Sequence, residues 1–183
     1  LEGGERLPAD AILVATGGRN RRFPIPGLDL DGVHDLRTVA DADALRADLA
    51  PGRRAVVVGM GFVGSEVAAS LRALGLEVTA IEAAAAPLER VLGADVGGAL
   101  AALHRAHGVE LVLGDGVEAL EGDGRVRRVR TRAGRVVECD LAVVGLGIEP
   151  ATDVVAGTAV EVDDGILVDE RCRTSVEGVY AAG

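Results

Sequence analysis

The sequence contains no lysine and no tryptophan. All 19 of its basic residues are arginine, and against 29 acidic residues they leave a net charge of -10. That sign argues against a general nucleic-acid binder, whose affinity comes from neutralising phosphates; acidity of this size serves solubility. Aromatics are nearly as scarce, with Phe23, Phe62 and Tyr180 the only ones, so a core must be assembled from Val, Leu, Ala and Ile. Cysteine is limited to Cys139 and Cys172, far apart and outside any CxxC or metal-ligand spacing. They signal neither a disulfide framework nor a metal site, and both read as buried or inert thiols. No apolar run reaches the roughly 20 residues of a membrane span, and no signal-peptide pattern opens the chain. A cytoplasmic protein with no membrane or nucleic-acid partner is expected. The 183 residues suffice for one sizeable core, or for one domain plus pieces of another. The second option is favoured, because the chain starts at Leu1 rather than Met and stops at Gly183 directly after a strand-like approach, so both ends read as cut.

What is present is an alternation of strand and helix patterns. Residues 11–15 form a short apolar strand leading into a glycine turn, and the proline- and glycine-containing stretch 19–32 is a connector. Thr38 is a candidate N-cap for a helix that places Val39, Ala42, Leu45 and Leu49 on one face, with Pro51-Gly52 as its stop. Strand 55–58, helix 62–74, strand 77–81, helix 95–107 and strand 109–113 follow. The first of these helices is expected to bury Val63, Val67, Leu71 and Leu74, and Gly75 ends it; Asp95 is the expected cap of the second, closed by Gly108. Strands joined by helices of this length imply right-handed crossovers and a parallel sheet covered on both faces, a Rossmann-like doubly wound α/β core. From 116 to 138 short alternating segments replace this pattern and predict a small antiparallel insertion. Arg125, Arg127, Arg128, Arg130, Arg132 and Arg135 crowd into it, either as a solvated, charge-protected strand face or as a docking patch for an acidic partner. Residues 140–147 return to a buried strand, and 166–168 and 178–181 predict two more. His34, His104 and His107 are expected at the surface or at helix ends.

Within AVVVGMGFVGSE the glycines of Gly59-x-Gly61-x-x-Gly64 stand between a strand and a helix, and Glu82 closes the next strand. In that context the spacing points to a dinucleotide. Gly59 permits the tight turn, Gly61 lets backbone approach a pyrophosphate, and Gly64 lets the helix pack on the sheet. The helix start, with Phe62 and Val63, aims unpaired N–H groups and the positive dipole end at the phosphates. Glu82 can accept hydrogen bonds from the adenine ribose hydroxyls. A 2′-phosphate would meet its charge with no arginine among residues 83–86 to compensate, so NADH is favoured over NADPH. Glu66 either gains a modest dipole benefit early in the helix or orients a nicotinamide at the edge shared with Gly145 and Gly147.

The motifs ATGGR, GMGFVGSEVA, VVGLGIEP and RTSVEGVYAAG occur in order, and together they resemble the two-dinucleotide-domain flavoprotein reductases over practically all 183 residues. Most similar are the NADH-dependent ferredoxin reductases of bacterial dioxygenases and cytochromes P450, the putidaredoxin and rubredoxin reductase group. The resemblance implies an electron-transfer oxidoreductase that uses FAD and NADH and passes electrons to a ferredoxin-type iron–sulfur protein. It makes residues 1–37 the end of a first FAD segment, 38–156 the NADH domain and 157–183 the start of a returning FAD segment. Gly17 and Arg19 match positions along the FAD, Gly59, Gly61, Gly64 and Glu82 the NADH site, and Glu66 and Gly147 its nicotinamide end. No side chain is expected to act as acid or base. An earlier GxGxxG and the family's aspartate after AAG are absent from the sequence, so the fragment alone is not expected to hold FAD. A nitrite reductase module, an NADH oxidase or disulfide reductase, and a non-catalytic NADH-sensing module are the alternative readings.

Overall fold

The computed structural model describes residues 6–50 and 52–183, which leaves Pro51 of the expected helix stop outside. The chain divides into two compact units: Asn20–Gly147, and a second that joins the segment ending at Arg19 to Ile148–Gly183. These divisions differ from the expected 37/38 and 156/157. For the first division the reason is packing, since Ile25, Leu28 and Leu30 of the supposed connector, and Val33 after it, lie against the core of the larger unit.

In the smaller unit, β1 (Ile12–Val14) pairs in parallel with a strand at Val179–Ala181, and β2 (Gly18–Asn20), whose last residue already counts with the larger unit, pairs with Ile148–Pro150. Val14, Val155 and Ala181 form its small core. The expected strand at 166–168 is reduced to one bridge between Ile166 and Val162.

The larger unit carries a five-stranded parallel sheet. Along the chain it contains β3 (Val33–His34), α1 (Val39–Asp48), β4 (Arg54–Val58), α2 (Phe62–Ala73), β5 (Glu77–Glu82), α3 (Glu89–Ala106), β6 (Val109–Leu113), the ribbon β7 (Val117–Asp123), β8 (Arg125–Thr131) and β9 (Val136–Glu138), and β10 (Leu141–Val144). The two outer strands of the smaller unit are then β11 (Ile148–Pro150) and β12 (Val179–Ala181). The sheet order is β3-β10-β4-β5-β6. β4 is buried on both faces, as a parallel strand requires: Ala55 and Val57 face a cluster with Leu45, Val67, Ala68 and Leu71, while Val56 and Val58 face Val117, Leu120, Val126 and Val129. One face is therefore covered by α1 and α2, the other by the antiparallel insertion. This explains the arginine crowding in β8, whose Val126, Val129 and Thr131 point inward while Arg127 and Arg128 are exposed.

Several local expectations need correction. α1 is capped by Thr38, whose hydroxyl accepts the Asp41 N–H while Asp41 accepts the Thr38 N–H, but only Leu45 of its expected face is buried. α2 buries Gly64, Val67, Ala68 and Leu71, not Val63 or Leu74, because close approach at Gly64 rotates the helix onto its small residues. α3 begins at Glu89 rather than at Asp95 and contains a break at Gly93, with φ 80 and ψ 168. His104 lies in the last turn of α3, a helix end as expected, but is buried there, and of the two cysteines expected to be buried or inert Cys172 is exposed, with φ 60. Cys139 is buried, and burial pushes its thiol up to about 12.

Candidate functional site

The order of strands reverses between β4 and β10. From β4 the chain moves outward to β5 and β6, while β10 adds on the opposite side. Open α/β sheets bind ligands beyond the carboxyl ends of the strands at that point. Val58 of β4 lies opposite Val144 of β10, and both strands run into glycine.

The three glycines of the turn serve different purposes. A Cβ on Gly59, at φ +89, would lie 2.5 Å from the carbonyl oxygen of Gly145, so this position holds two strand ends together. A Cβ on Gly64 would lie 1.8 Å from the carbonyl oxygen of Gly59, where helix meets strand. On Gly61 a Cβ would meet nothing within 4 Å. Two of the glycines are closed by protein, and the middle one opens onto space that a ligand can enter. Gly61 is also the N-cap of α2, and no side chain caps the helix. Its first N–H groups, those of Phe62 and Val63 among them, are the donors an anion would use.

Glu82 ends β5 half-buried. One carboxylate oxygen accepts the Met60 N–H at 2.6 Å and the other the Ala84 N–H at 2.8 Å. Each oxygen keeps a second lone pair, so the carboxylate can accept ribose hydroxyls while the protein holds it in place. The donor set and the open cradle at Gly61 fit the adenosine diphosphate half of a nicotinamide dinucleotide. Glu66 is exposed in the second turn of α2, and its side chain makes no capping hydrogen bond among the described residues. Gly147, at φ +99, also faces open space. The structure thus brings Gly59, Gly61, Gly64, Gly145 and Glu82 together, and joins Glu66 and Gly147 to them by no hydrogen bond. Sequence reasoning missed Met60, whose side chain is fully buried and whose carbonyl accepts the Leu88 N–H at 2.9 Å. A residue between two glycines carries no periodic signal that would reveal this.

In the smaller unit Gly17 takes φ +68 and its carbonyl accepts the Ala151 N–H at 2.9 Å. Arg19 forms an ion pair with Asp153, which holds the carboxyl below its ordinary range. A guanidinium carries five N–H donors, so this pair leaves others for a phosphate.

A second charged cluster lies in the larger unit. Asp48, at the end of α1, accepts from Arg125 at 2.6 and 2.7 Å and from Arg53 at 3.2 Å, and lies 2.8 Å from His34 Nε2. Burial opposes its charge, but the hydrogen bonds from His34, Arg125 and Arg53 outweigh that and lower its pKa to about 2. Among the described residues no group of His, Cys, Asp and Glu could hold a metal ion, and no helix is long and apolar enough to cross a membrane.

Comparison with known proteins agrees with this fold. Rhodocoxin reductase of Rhodococcus erythropolis is 43% identical over 175 residues, covering 95% of this chain and 41% of that protein. The ferredoxin–NAD(+) reductase subunit of the benzene 1,2-dioxygenase system of Pseudomonas putida is 40% identical over 183 residues, 100% of this chain and 45% of the relative. The reductase of the covalent putidaredoxin reductase–putidaredoxin complex matches with a TM-score of 0.89 at 33% identity, across 99% of this chain and 45% of that one. The chain spans less than half the length of these relatives. Residues 1–183 all match one family, and the match runs through both units, so the chain belongs to the pyridine nucleotide-disulphide oxidoreductase family.

Proposed function

We propose that this chain is the nucleotide-binding portion of an NADH-dependent flavoprotein reductase that serves a ferredoxin-type iron–sulfur protein. The observation that carries the reading is the turn at Gly61, open where a pyrophosphate would lie and closed on both sides by Gly59 and Gly64. The relatives, a rhodocoxin reductase and a ferredoxin–NAD(+) reductase subunit, support the choice of acceptor. When bound, NADH supplies a hydride to FAD, which in turn supplies single electrons to the iron–sulfur acceptor.

The residues of this chain work by position. The uncapped start of α2 and the N–H groups around Gly61 hold the pyrophosphate. Glu82 anchors the adenine ribose and repels a 2′-phosphate. Glu66 and Gly147 orient the nicotinamide, and Gly17 and Arg19 lie along the FAD. On this assignment the unit Asn20–Gly147 binds NADH and the other unit contributes to the FAD domain. None of these residues is assigned as an acid or base, and the contribution of the chain is orientation.

The test is titration of the full-length protein with NADH and with NADPH, followed by reduction of a ferredoxin. Tight NADH binding, weaker NADPH binding and ferredoxin reduction are expected. Equal or tighter NADPH binding would remove Glu82 from its role, and NADH binding without ferredoxin reduction would remove the acceptor.

A further inference from the structure

Among the described residues only two other than glycine have positive φ, Cys172 and Leu88. Leu88 takes φ 53 and ψ 15 as the residue preceding α3. This left-handed conformation is disfavoured for a branched apolar side chain, which offers no local hydrogen bond in return. Such outliers persist where the surroundings over-determine them, and they concentrate at functional sites.

The surroundings of Leu88 do so. The loop from β5 to α3 is tied down at successive points. The Ala84 N–H goes to Glu82, the Ala84 carbonyl accepts the Gly114 N–H at 2.9 Å, and the Ala86 N–H goes to Glu89 at 3.1 Å. Ala86 and Pro87 are buried, and α3 approaches them so closely that a Cβ on Gly97 would lie 2.7 Å from the Pro87 carbonyl oxygen. At the end of this strap the Leu88 N–H donates to the Met60 carbonyl at 2.9 Å. That carbonyl shares one rigid peptide plane with the Gly61 N–H. A bond that fixes the carbonyl therefore fixes the direction of the N–H at the open position of the turn. The preceding peptide is held too, through the Met60 N–H to Glu82 at 2.6 Å.

We propose that Leu88 is a positioning residue for the nucleotide site: held left-handed by the strap, it locks the Met60–Gly61 peptide plane and aims the Gly61 N–H at the pyrophosphate. The inference rests on the dinucleotide reading above. It differs from that reading in placing part of the affinity in a residue that contacts no ligand.

The experiment compares Leu88→Gly and Leu88→Asn with the parent in the full-length protein, reading the Kd for NADH, the thermal midpoint and hydrogen exchange at the amide of residue 88, which donates to the Met60 carbonyl. Glycine keeps the N–H and removes the conformational penalty, but it frees the loop to leave the strap geometry. Its midpoint is expected at or above the parent value, with faster exchange at the amide of residue 88, whose bond to the Met60 carbonyl opens more often, and a Kd raised about fivefold, as when only a fraction of molecules is binding-competent. Asparagine tolerates the left-handed region with less freedom than glycine, and is expected to bind NADH within about twofold of the parent on that account. A Leu88→Gly protein that binds NADH as the parent does would overturn the proposal. So would a Leu88→Asn protein as weak as the glycine variant, since the leucine side chain rather than the backbone would then matter. Failure of the parent itself to bind NADH would instead remove the dinucleotide reading.

Discussion

The carboxyl edge of β4 and the Asp48 cluster belong to the same unit and are built on opposite principles. At the carboxyl edge side chains have been removed: Gly59, Gly61, Gly64 and Gly145 leave backbone groups close together and one position open. Around Asp48 the side chains are long and charged, and each is engaged, with Arg53 and Arg125 also donating to the Asp140 carbonyl. A site that has to accept a polyanion needs donors with no internal acceptor. A tie between α1, the edge strand β3 and the ribbon strand β8 needs every donor satisfied, because unpaired charge at that depth is costly. The difference separates the edge proposed to bind from the cluster that holds the unit together.

The largest effect should come from Gly64→Ala. The new methyl would meet the backbone oxygen of Gly59, which cannot step aside without moving the strand end. A stability loss of about 3–4 kcal/mol is expected, together with loss of nucleotide binding. Chemical denaturation and NADH titration read the two effects separately; a stable, NADH-binding variant would mean that the turn is softer than its geometry.

Asp48→Ala tests the other region. Removing the shared carboxylate leaves His34, Arg53 and Arg125 facing one another, and a loss of about 2–3 kcal/mol is expected with NADH affinity unchanged. The same residue predicts a pH dependence. Its folded pKa of about 2 lies below the ordinary 3.8, so its contribution is fully present above pH 3.8 and is lost as pH falls through 2. The linked stability is about 2 kcal/mol. Acid denaturation of Asp48→Ala should lack that component, and identical acid transitions in parent and variant would show that Asp48 is not the titrating group.

The two regions also differ in how much of them the sequence reveals. The β4-α2-β5 unit could be read because each step has a local signature: a continuous apolar strand, glycines at fixed spacing, a 3.6-residue period, and an acid at the end of a strand. The capping of α1 by Thr38 is local in the same way. The start of α3 could not be read, because a left-handed leucine has no sequence signature and Gly93 interrupts the period. The Asp48 cluster draws on β3, α1, the residue before β4 and β8, and no period connects residues so far apart in the chain. The arginines of β8 could be seen, but whether its valines faced a sheet depended on the register of β7 and β8. Unit boundaries were displaced for a related reason, since a connector rich in proline and glycine still carries Ile25, Leu28 and Leu30 into the core.

Two smaller predictions sharpen the carboxyl edge itself. Gly61 has φ -71 and ψ -166, a conformation open to any residue, and nothing stands where its Cβ would go. Gly61→Ala should therefore fold with unchanged or slightly raised stability, because alanine lowers the entropy of the unfolded chain. Its methyl would occupy the space of the pyrophosphate, and NADH binding should weaken about thirtyfold, or about 2 kcal/mol. The variant separates binding from folding at the residue where Gly64→Ala confounds them. Glu82→Gln should have the smallest effect on NADH binding: its one acceptor oxygen keeps either the Met60 or the Ala84 N–H, while its NH2 cannot accept the other, so the charge and one hydrogen bond are lost. NADH binding should fall severalfold, while the preference for NADH over NADPH narrows by about tenfold, the roughly 1.4 kcal/mol that one lost charge repulsion near a phosphate is worth. An unchanged ratio of the two dissociation constants would show that Glu82 serves the glycine turn through Met60 and does not choose the nucleotide.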